Sequence, residues 1–559
     1  LSRLLAISTA PGRAAPTAAA SPTDLGPDGT AALVMRPHDH AFAEPGVPAL
    51  RERILTGKGL ADLAAPFAGA AAENGAVTVA ADWLGLRQVY GVQGDGWAAV
   101  GTSARELARL AGRGLDREAL GAFRLVGHFL DEDTAFEGVK KLRSGSRWRL
   151  LDGRLVEDEM QPGGFQGGDA PPVEEAVRTL AELIRTGMEQ CLDRYPDAVL
   201  QLSGGLDTRL LLAAIPPARR IGLGTMTLAA RDSGDEATAA MLARRCRMRR
   251  EVIDLSRLRR LDPSEAHRLL LTTARRREQI LSPLHLGMLE WVEGQTTDAP
   301  RISGLGGELS RGMYYAMQRQ RPDVTPRLVE RLAKWRIFSL DPVDPGCLNP
   351  SFAEESGAAT MRRIQGIFAG FGGDWLSATD AYYFRQRYHR AVGAVITASC
   401  TEHTVLNPLL HPRFVAIAEG LPPAAKRGSR FNARLLAALD PELAALPMDT
   451  GVRPDALTAP RPVRLARTAR DQGVKIVHKT RQRISGRGDS WSASAALTRS
   501  LVAHWRAEPD LLAPVAATGL LSEAWLERML SGAHTPAPAT AGFVALLEGA
   551  LDDDFEPTP

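Results

Sequence analysis

The chain has 559 residues, 44% hydrophobic and 24% charged, with 68 Lys and Arg against 65 Asp and Glu. That length exceeds one ordinary core and predicts at least two domains. A formal charge of +3 gives no electrostatic case for a nucleic-acid partner. No apolar run is long enough to span a bilayer, so no membrane partner is expected.

In chain order, residues 1–30 are rich in Ala, Pro, Thr and Gly, which predicts a flexible extension, with a true start as late as Met35. Residues 31–160 carry short β-like runs, among them Val77–Ala81, Gln88–Val92, Trp97–Val100 and Arg147–Leu151, separated by turn residues. Residues 161–172, rich in Gly and Pro, read as a linker. From 173 to 559 helical patterns dominate, broken by strand-like runs at Ala198–Leu202, Ile221–Leu228, Glu251–Leu255 and Arg301–Ser303. Strands alternating with helices predict an α/β fold with a parallel sheet. The last 150 or so residues read as helical with several Pro breaks. The four cysteines lie far apart without CxxC spacing, which favours reduced thiols in a cytoplasmic protein over a disulfide framework or zinc site.

The most informative stretch runs Ala198-Val-Leu-Gln-Leu-Ser-Gly-Gly-Leu-Asp-Thr208. A buried strand, a Ser-Gly-Gly turn and a helix start together make an anion site, because side-chain-free backbone N–H groups meet the positive end of a helix. Asp207 would repel a bare phosphate, so its place there implies a bridging Mg²⁺. Downstream, Ile302-Ser-Gly-Leu-Gly-Gly-Glu308 offers a second Gly-rich turn ending in a carboxylate.

These motifs resemble those of the asparagine-synthetase superfamily, whose Ser-Gly-Gly-x-Asp loop binds the pyrophosphate of ATP and whose Ser-Gly-x-Gly-x-Asp turn shares the metal. The segments Asp82–Gly91, Gly101–Leu107 and Leu120–Gly145 are similar to that family's glutaminase-type domain. The resemblance implies a degenerate Ntn-hydrolase-like α+β domain over 31–160, then an adenine-nucleotide α-hydrolase-like synthetase domain over 173–559 with a helical C-terminal part. It implies ATP and Mg²⁺ as cofactors. Leu202, Ser203, Gly204, Gly205, Asp207, Thr208, Thr227, Gly304 and Gly306 would hold nucleotide, and Asp207 and Glu308 the metal. In Glu402-His-Thr-Val-Leu-Asn-Pro-Leu-Leu-His411, Glu402 is the candidate for orienting the amine, and His411 replaces the family's Asp. In Leu446-Pro-Met-Asp-Thr-Gly-Val-Arg453, Arg453 matches the family's arginine, whereas Asp455 stands at its lysine.

Leu305 sits where the family places a polar residue beside the reacting groups, and Arg311 is a candidate phosphate or carboxylate contact. Residue 1 is Leu and the first cysteine is Cys191, which removes the N-terminal cysteine of such glutaminases. The expected function is an ATP-dependent, AMP-forming amide ligase of specialised metabolism, similar to lasso-peptide cyclases and β-lactam synthetases. It would join a carboxylate-bearing small molecule or peptide to an amine donor, with a possible biosynthetic partner protein. The alternatives are a glutamine-dependent asparagine synthetase with its N-terminus missing, and a silent scaffold homologue. The nine-cation segment Arg461–Arg487 reads first as a solvated helix face and second as an anion-binding strap.

Overall fold

The computed structural model describes residues 4–11, 30–32, 39–159, 171–229, 233–277, 281–338, 342–400, 403–458 and 489–552. The segments 161–170 and 461–487, and with them most of the linker and the basic run, lie outside them.

The N-terminal part is a sandwich of two antiparallel sheets. One contains β1 (Leu5–Thr9), β6 (Trp97–Gly101), β5 (Tyr90–Gly94) and β7 (Lys140–Lys141), in that order. The other runs β2 (Thr30–Ala32), β3 (Ala68–Glu73), β4 (Ala76–Ala81), β8 (Ser146–Leu151) and β9 (Arg154–Glu159). Alternation along the strands sorts the side chains between layers. Val79, Ala98, Val100, Trp148 and Leu150 fill the space between the sheets. Ala80 faces the other way, onto helix α1 (Val47–Thr56) through Leu50 and Ile54. Ala99 and Val92 face helix α2 (Ala104–Leu110) through Leu107. The result is four layers, helix on sheet on sheet on helix.

Residues 5–9, expected to belong to a flexible extension, instead form an edge strand paired with β6, Leu5 opposite Gly101 and Thr9 opposite Trp97. The reason is an apolar doublet split by the pleat: Leu4 enters the core between the sheets and Leu5 the core beneath α2.

The C-terminal part is built on a five-stranded parallel sheet. Its order is β12 (Arg249–Asp254), β11 (Gly224–Ala229), β10 (Val199–Gln201), β13 (Arg301–Ile302) and β14 (Val405–Leu406). Val199 registers with Gly224 on one side and Arg301 on the other. The chain leaves β10 toward β11 and later returns to β10's other flank as β13. The sheet therefore has a switch point between the carboxyl ends of β10 and β13, where an open α/β sheet leaves a crevice. Helix α4 (Val173–Arg194) buries Leu180, Ile184 and Met188 at helical spacing in the main core. Helix α5 (Leu206–Ala214) starts directly above β10.

The two parts are joined by packed helices. Helix α3 (Arg117–Val126) lies on the helix Pro350–Ala369, where Arg124 donates to Ser356 Oγ at 3.0 Å and to the Ala353 carbonyl at 2.5 Å. The apolar helix Pro538–Leu551 is buried against the helices Pro263–Arg276 and Pro283–Glu293. Its C-terminal carbonyls are met by α2: Arg105 donates to Gly549 at 3.4 Å and to Asp552 at 3.1 Å, and Arg109 to Asp552 at 2.6 Å. Cations there complement the negative end of the helix dipole. No helix among the described residues is long and apolar enough to cross a membrane.

Candidate functional site

The site sits in the switch-point crevice. The loop Ser203-Gly204-Gly205 follows β10 and leads into α5, whose N-cap is Gly205 with no side-chain cap. Its N–H groups are engaged by side chains. Ser203 N–H donates to Thr208 Oγ1 at 3.2 Å, Gly205 N–H to Ser203 Oγ at 3.2 Å, and Gly204 N–H to Asp235 Oδ1 at 2.6 Å. A carboxylate oxygen already occupies the hydrogen-bonding direction of Gly204, so that amide is aimed at an oxyanion, and a phosphate would have to displace or share Asp235. Thr227 is buried and its hydroxyl donates to the Leu202 carbonyl at 2.9 Å, tying β11 to the end of β10. Thr227 thus braces the loop from below.

The second turn, Ser303 to Glu308, closes on the first by steric fit. A Cβ at Gly304 would lie 2.8 Å from Thr208 N, and one at Gly307 would lie 2.7 Å from the Asp207 side chain. Gly306 has φ +106°, which an L side chain rarely adopts. Only glycines allow these approaches. Leu409, from the stretch after β14, seals the turn from outside, its carbonyl 2.8 Å from where a Gly306 Cβ would be.

Asp207 and Glu308 are brought together here. Burial raises the pKa of both; Glu308, 8% exposed, is pushed up to about 7, with the neighbouring Asp207 charge as the second cause. Glu308 accepts the Gly306 N–H at 2.9 Å. Asp207 accepts Arg311 Nη2 at 2.7 Å and Asn432 Nδ2 at 3.3 Å. The buried Glu308 and the partly buried Asp207 thus face one guanidinium and are short of positive charge. The donor set, all hard oxygens, suits a divalent cation such as Mg²⁺. Among the described residues no cluster of three or more His, Cys, Asp or Glu side chains stands ready as a metal site, so water or ligand oxygens would complete the coordination.

Several residues invisible to motif reading organise the crevice. Asn432, fully buried, donates to the Gly307 carbonyl at 3.0 Å and accepts Ser310 Oγ at 2.5 Å, linking both turns. Arg209, fully buried, donates to the carbonyls of Leu446 at 2.7 Å and Pro447 at 3.0 Å, with Leu443 and Gly204 at the edge of bonding range. It clamps the Leu446–Arg453 stretch against the loop, where Asp449 N–H reaches the Gly204 carbonyl at 3.4 Å. Arg453 itself is half exposed and turned onto Asp455, at 3.1 Å through Nε. Asp455 thus draws off the arginine's charge.

Glu402 lies outside the described residues. His411 caps the helix Pro412–Gly420 by accepting Arg413 N–H at 3.1 Å and packs on His40. Burial and His40 lower its pKa to about 4. That is a structural role.

A cavity of about 130 Å³ opens beside Arg311, lined by Asp380, Tyr383, Phe384 and Lys426. Lys426, 2% exposed, donates to Asp380 Oδ2 at 2.8 Å, and Tyr315 OH donates to the same oxygen at 2.6 Å. Arg311 is shared between this cavity and the Asp207–Glu308 pair. All four cysteines are buried, and burial raises their thiol pKa values, which makes them poor nucleophiles. No protein-family model matches the chain, and no curated protein matches it either.

Proposed function

We propose that this protein is an ATP-dependent, AMP-forming amide ligase of the asparagine-synthase type, with an Ntn-hydrolase-like N-terminal sandwich. The observation that carries the reading is the meeting of Asp207 and Glu308, from two Gly-built turns, at the switch point of a parallel sheet. Mg²⁺ held by these carboxylates would supply charge neutralisation of a departing pyrophosphate. The Ser203–Gly205 loop and the α5 N-terminus orient the phosphates in line with an attacking carboxylate. Arg311 changes partner from Asp207 to an anionic oxygen when the carboxylates take a cation. Leu305 adds no polar group at the crevice.

The 130 Å³ cavity would admit the acceptor side. Lys426, buried beside Asp380 and Tyr315, provides the fixed positive charge that Asp455 cannot, and steadies the oxyanion of the amide-forming step. The substrates are a carboxylate-bearing small molecule or peptide and an amine.

The test is incubation of the full chain with MgATP, a carboxylate panel and amines, following AMP and pyrophosphate. Carboxylate-dependent release of both that disappears in Asp207→Ala is the expected result. No AMP with any carboxylate, or release indifferent to Asp207→Ala, defeats the reading.

A further inference from the structure

The chain that follows the Asp207–Glu308 crevice carries a charged face that the crevice does not use. Between 316 and 336 it has six Arg and Lys against two acids, a net +4 where the whole sequence sums to +3. Arg321, Arg327, Arg331 and Lys334 line a groove of about 670 Å³, with Asp323 and Glu330 as its only acids among the described residues. The one ion pair on this lining, among the described residues, is Lys334 with Glu330 at 2.6 Å. Three exposed guanidiniums therefore share Asp323. Asp374, whose neighbour Trp375 donates its N–H to the Arg321 carbonyl at 3.0 Å, is committed elsewhere. It caps the helix Trp375–Tyr382, accepting the Leu376 and Ser377 N–H groups at 2.9 and 3.2 Å and Ser377 Oγ at 2.9 Å.

A second observation comes from the loop that leads into the groove. Met317 is 86% exposed, the most exposed large apolar side chain among the described residues, and its φ is +57°. A methionine seldom adopts that conformation, and strain of this kind persists only where the surroundings impose it. Here they do. Arg427 donates to the Tyr315 carbonyl at 3.2 Å and to the Gln318 carbonyl at 3.0 Å, gripping the loop on both sides of Met317. Gln318, 5% exposed, accepts Trp375 Nε1 at 3.1 Å, and Tyr315 OH holds Asp380 in the 130 Å³ cavity. Met317 is thus presented to solvent on a braced loop. Trp335, 43% exposed, stands next to Lys334 of the groove. Arg, Met and Trp are the residue types enriched where proteins meet proteins.

We propose that this face, from Met317 through the groove to Lys334, docks an acidic segment of a partner polypeptide. Its carboxylates pair with Arg321, Arg327 and Arg331, whose planar forks suit bidentate contact, and an apolar side chain of the segment rests on Met317. A polypeptide is favoured over a nucleic acid by the two carboxylates on the lining. A peptide can space its charges to miss Asp323 and Glu330, whereas a phosphodiester chain carries one at every nucleotide. The proposal does not depend on the ligase reading, since neither crevice carboxylate takes part.

The test is fluorescence anisotropy of the full chain with short labelled peptides, one of Glu with interspersed Leu, its Gln–Leu and Glu–Gly counterparts, and an RNA oligonucleotide of equal charge. The Glu–Leu peptide should bind saturably, at least about tenfold more tightly than the Gln–Leu peptide and the RNA, and more weakly as salt rises. Arg327→Glu with Arg331→Glu should weaken it about tenfold or more, with an unchanged melting temperature because both side chains are exposed. Arg259→Glu with Arg260→Glu, an exposed basic pair outside the groove, should leave it within about twofold. Met317→Ser should weaken the Glu–Leu peptide about threefold or more and leave the Glu–Gly peptide unchanged. No binding of the Glu–Leu peptide, RNA bound as tightly, equal loss from the two charge-reversed pairs, or indifference to Met317→Ser would overturn the proposal.

Discussion

Glu308→Gln isolates the electrostatic cost of the crevice. The side chain is 8% exposed and its pKa stands at about 7 against an ordinary 4.5. That gap corresponds to roughly 3 kcal/mol between the two protonation states. The sign follows from linkage: a carboxyl whose folded pKa is raised gives its full contribution below about 4.5, and that contribution is lost as pH rises through about 7. The wild-type protein should therefore lose up to ~3 kcal/mol from this group between mildly acidic and mildly alkaline pH. Glutamine keeps the shape and can still accept the Gly306 N–H, but it does not ionise. Melting curves in the absence of nucleotide should show the variant gaining a few degrees over wild type near pH 8, and little near pH 5. Mg²⁺ should stabilise wild type more near pH 8, where Glu308 is a carboxylate, and should stabilise the variant less at that pH. A variant no more stable near pH 8, or a gain equal at both pH values, would refute the pairing of the buried Glu308 with Asp207.

Gly307→Ala places a Cβ 2.7 Å from the Asp207 side chain; it should abolish carboxylate-dependent pyrophosphate release while circular dichroism stays native. Arg209→Ala removes the clamp on the Leu446 and Pro447 carbonyls and opens a cavity in the core. It should cost roughly 2–4 kcal/mol, seen as a lower melting temperature and faster proteolysis within 443–453. Lys426→Met should leave AMP formation within a few-fold of wild type and depress amide yield by about tenfold or more; equal loss of both would remove Lys426 from the amide step.

The parallel sheet was legible where strands are apolar and end in a marked turn: Ala198–Leu202 and Ile221–Leu228 correspond to β10 and β11. β3 was not, because Ala68–Glu73 is alanine and glycine with no contrast between faces, and only its pairing with β4 makes it a strand. β14 is two residues long and owes its existence to β13. In the crevice, Asp207 was singled out by its place after the Ser-Gly-Gly turn and Glu308 by the family resemblance, and the fold sets the two carboxylates side by side. Asn432, Arg209 and Lys426 escaped because each acts on partners far along the chain, and a buried Arg or Lys carries no local pattern that separates it from a surface one. Arg453 matched a motif, yet Asp455, two residues on, captures it at the surface.

The clasp of α2 on the end of the helix Pro538–Leu551 sets a schedule for synthesis. Arg105 and the carbonyl it caps are 444 residues apart in sequence. At ~5–20 residues per second, a ribosome takes roughly 20–90 seconds to supply the second half of that contact after the first. Throughout that interval Leu107 and its neighbours lack the apolar cover that the late helices bring, so the nascent chain presents an apolar face to whatever chaperone attends it.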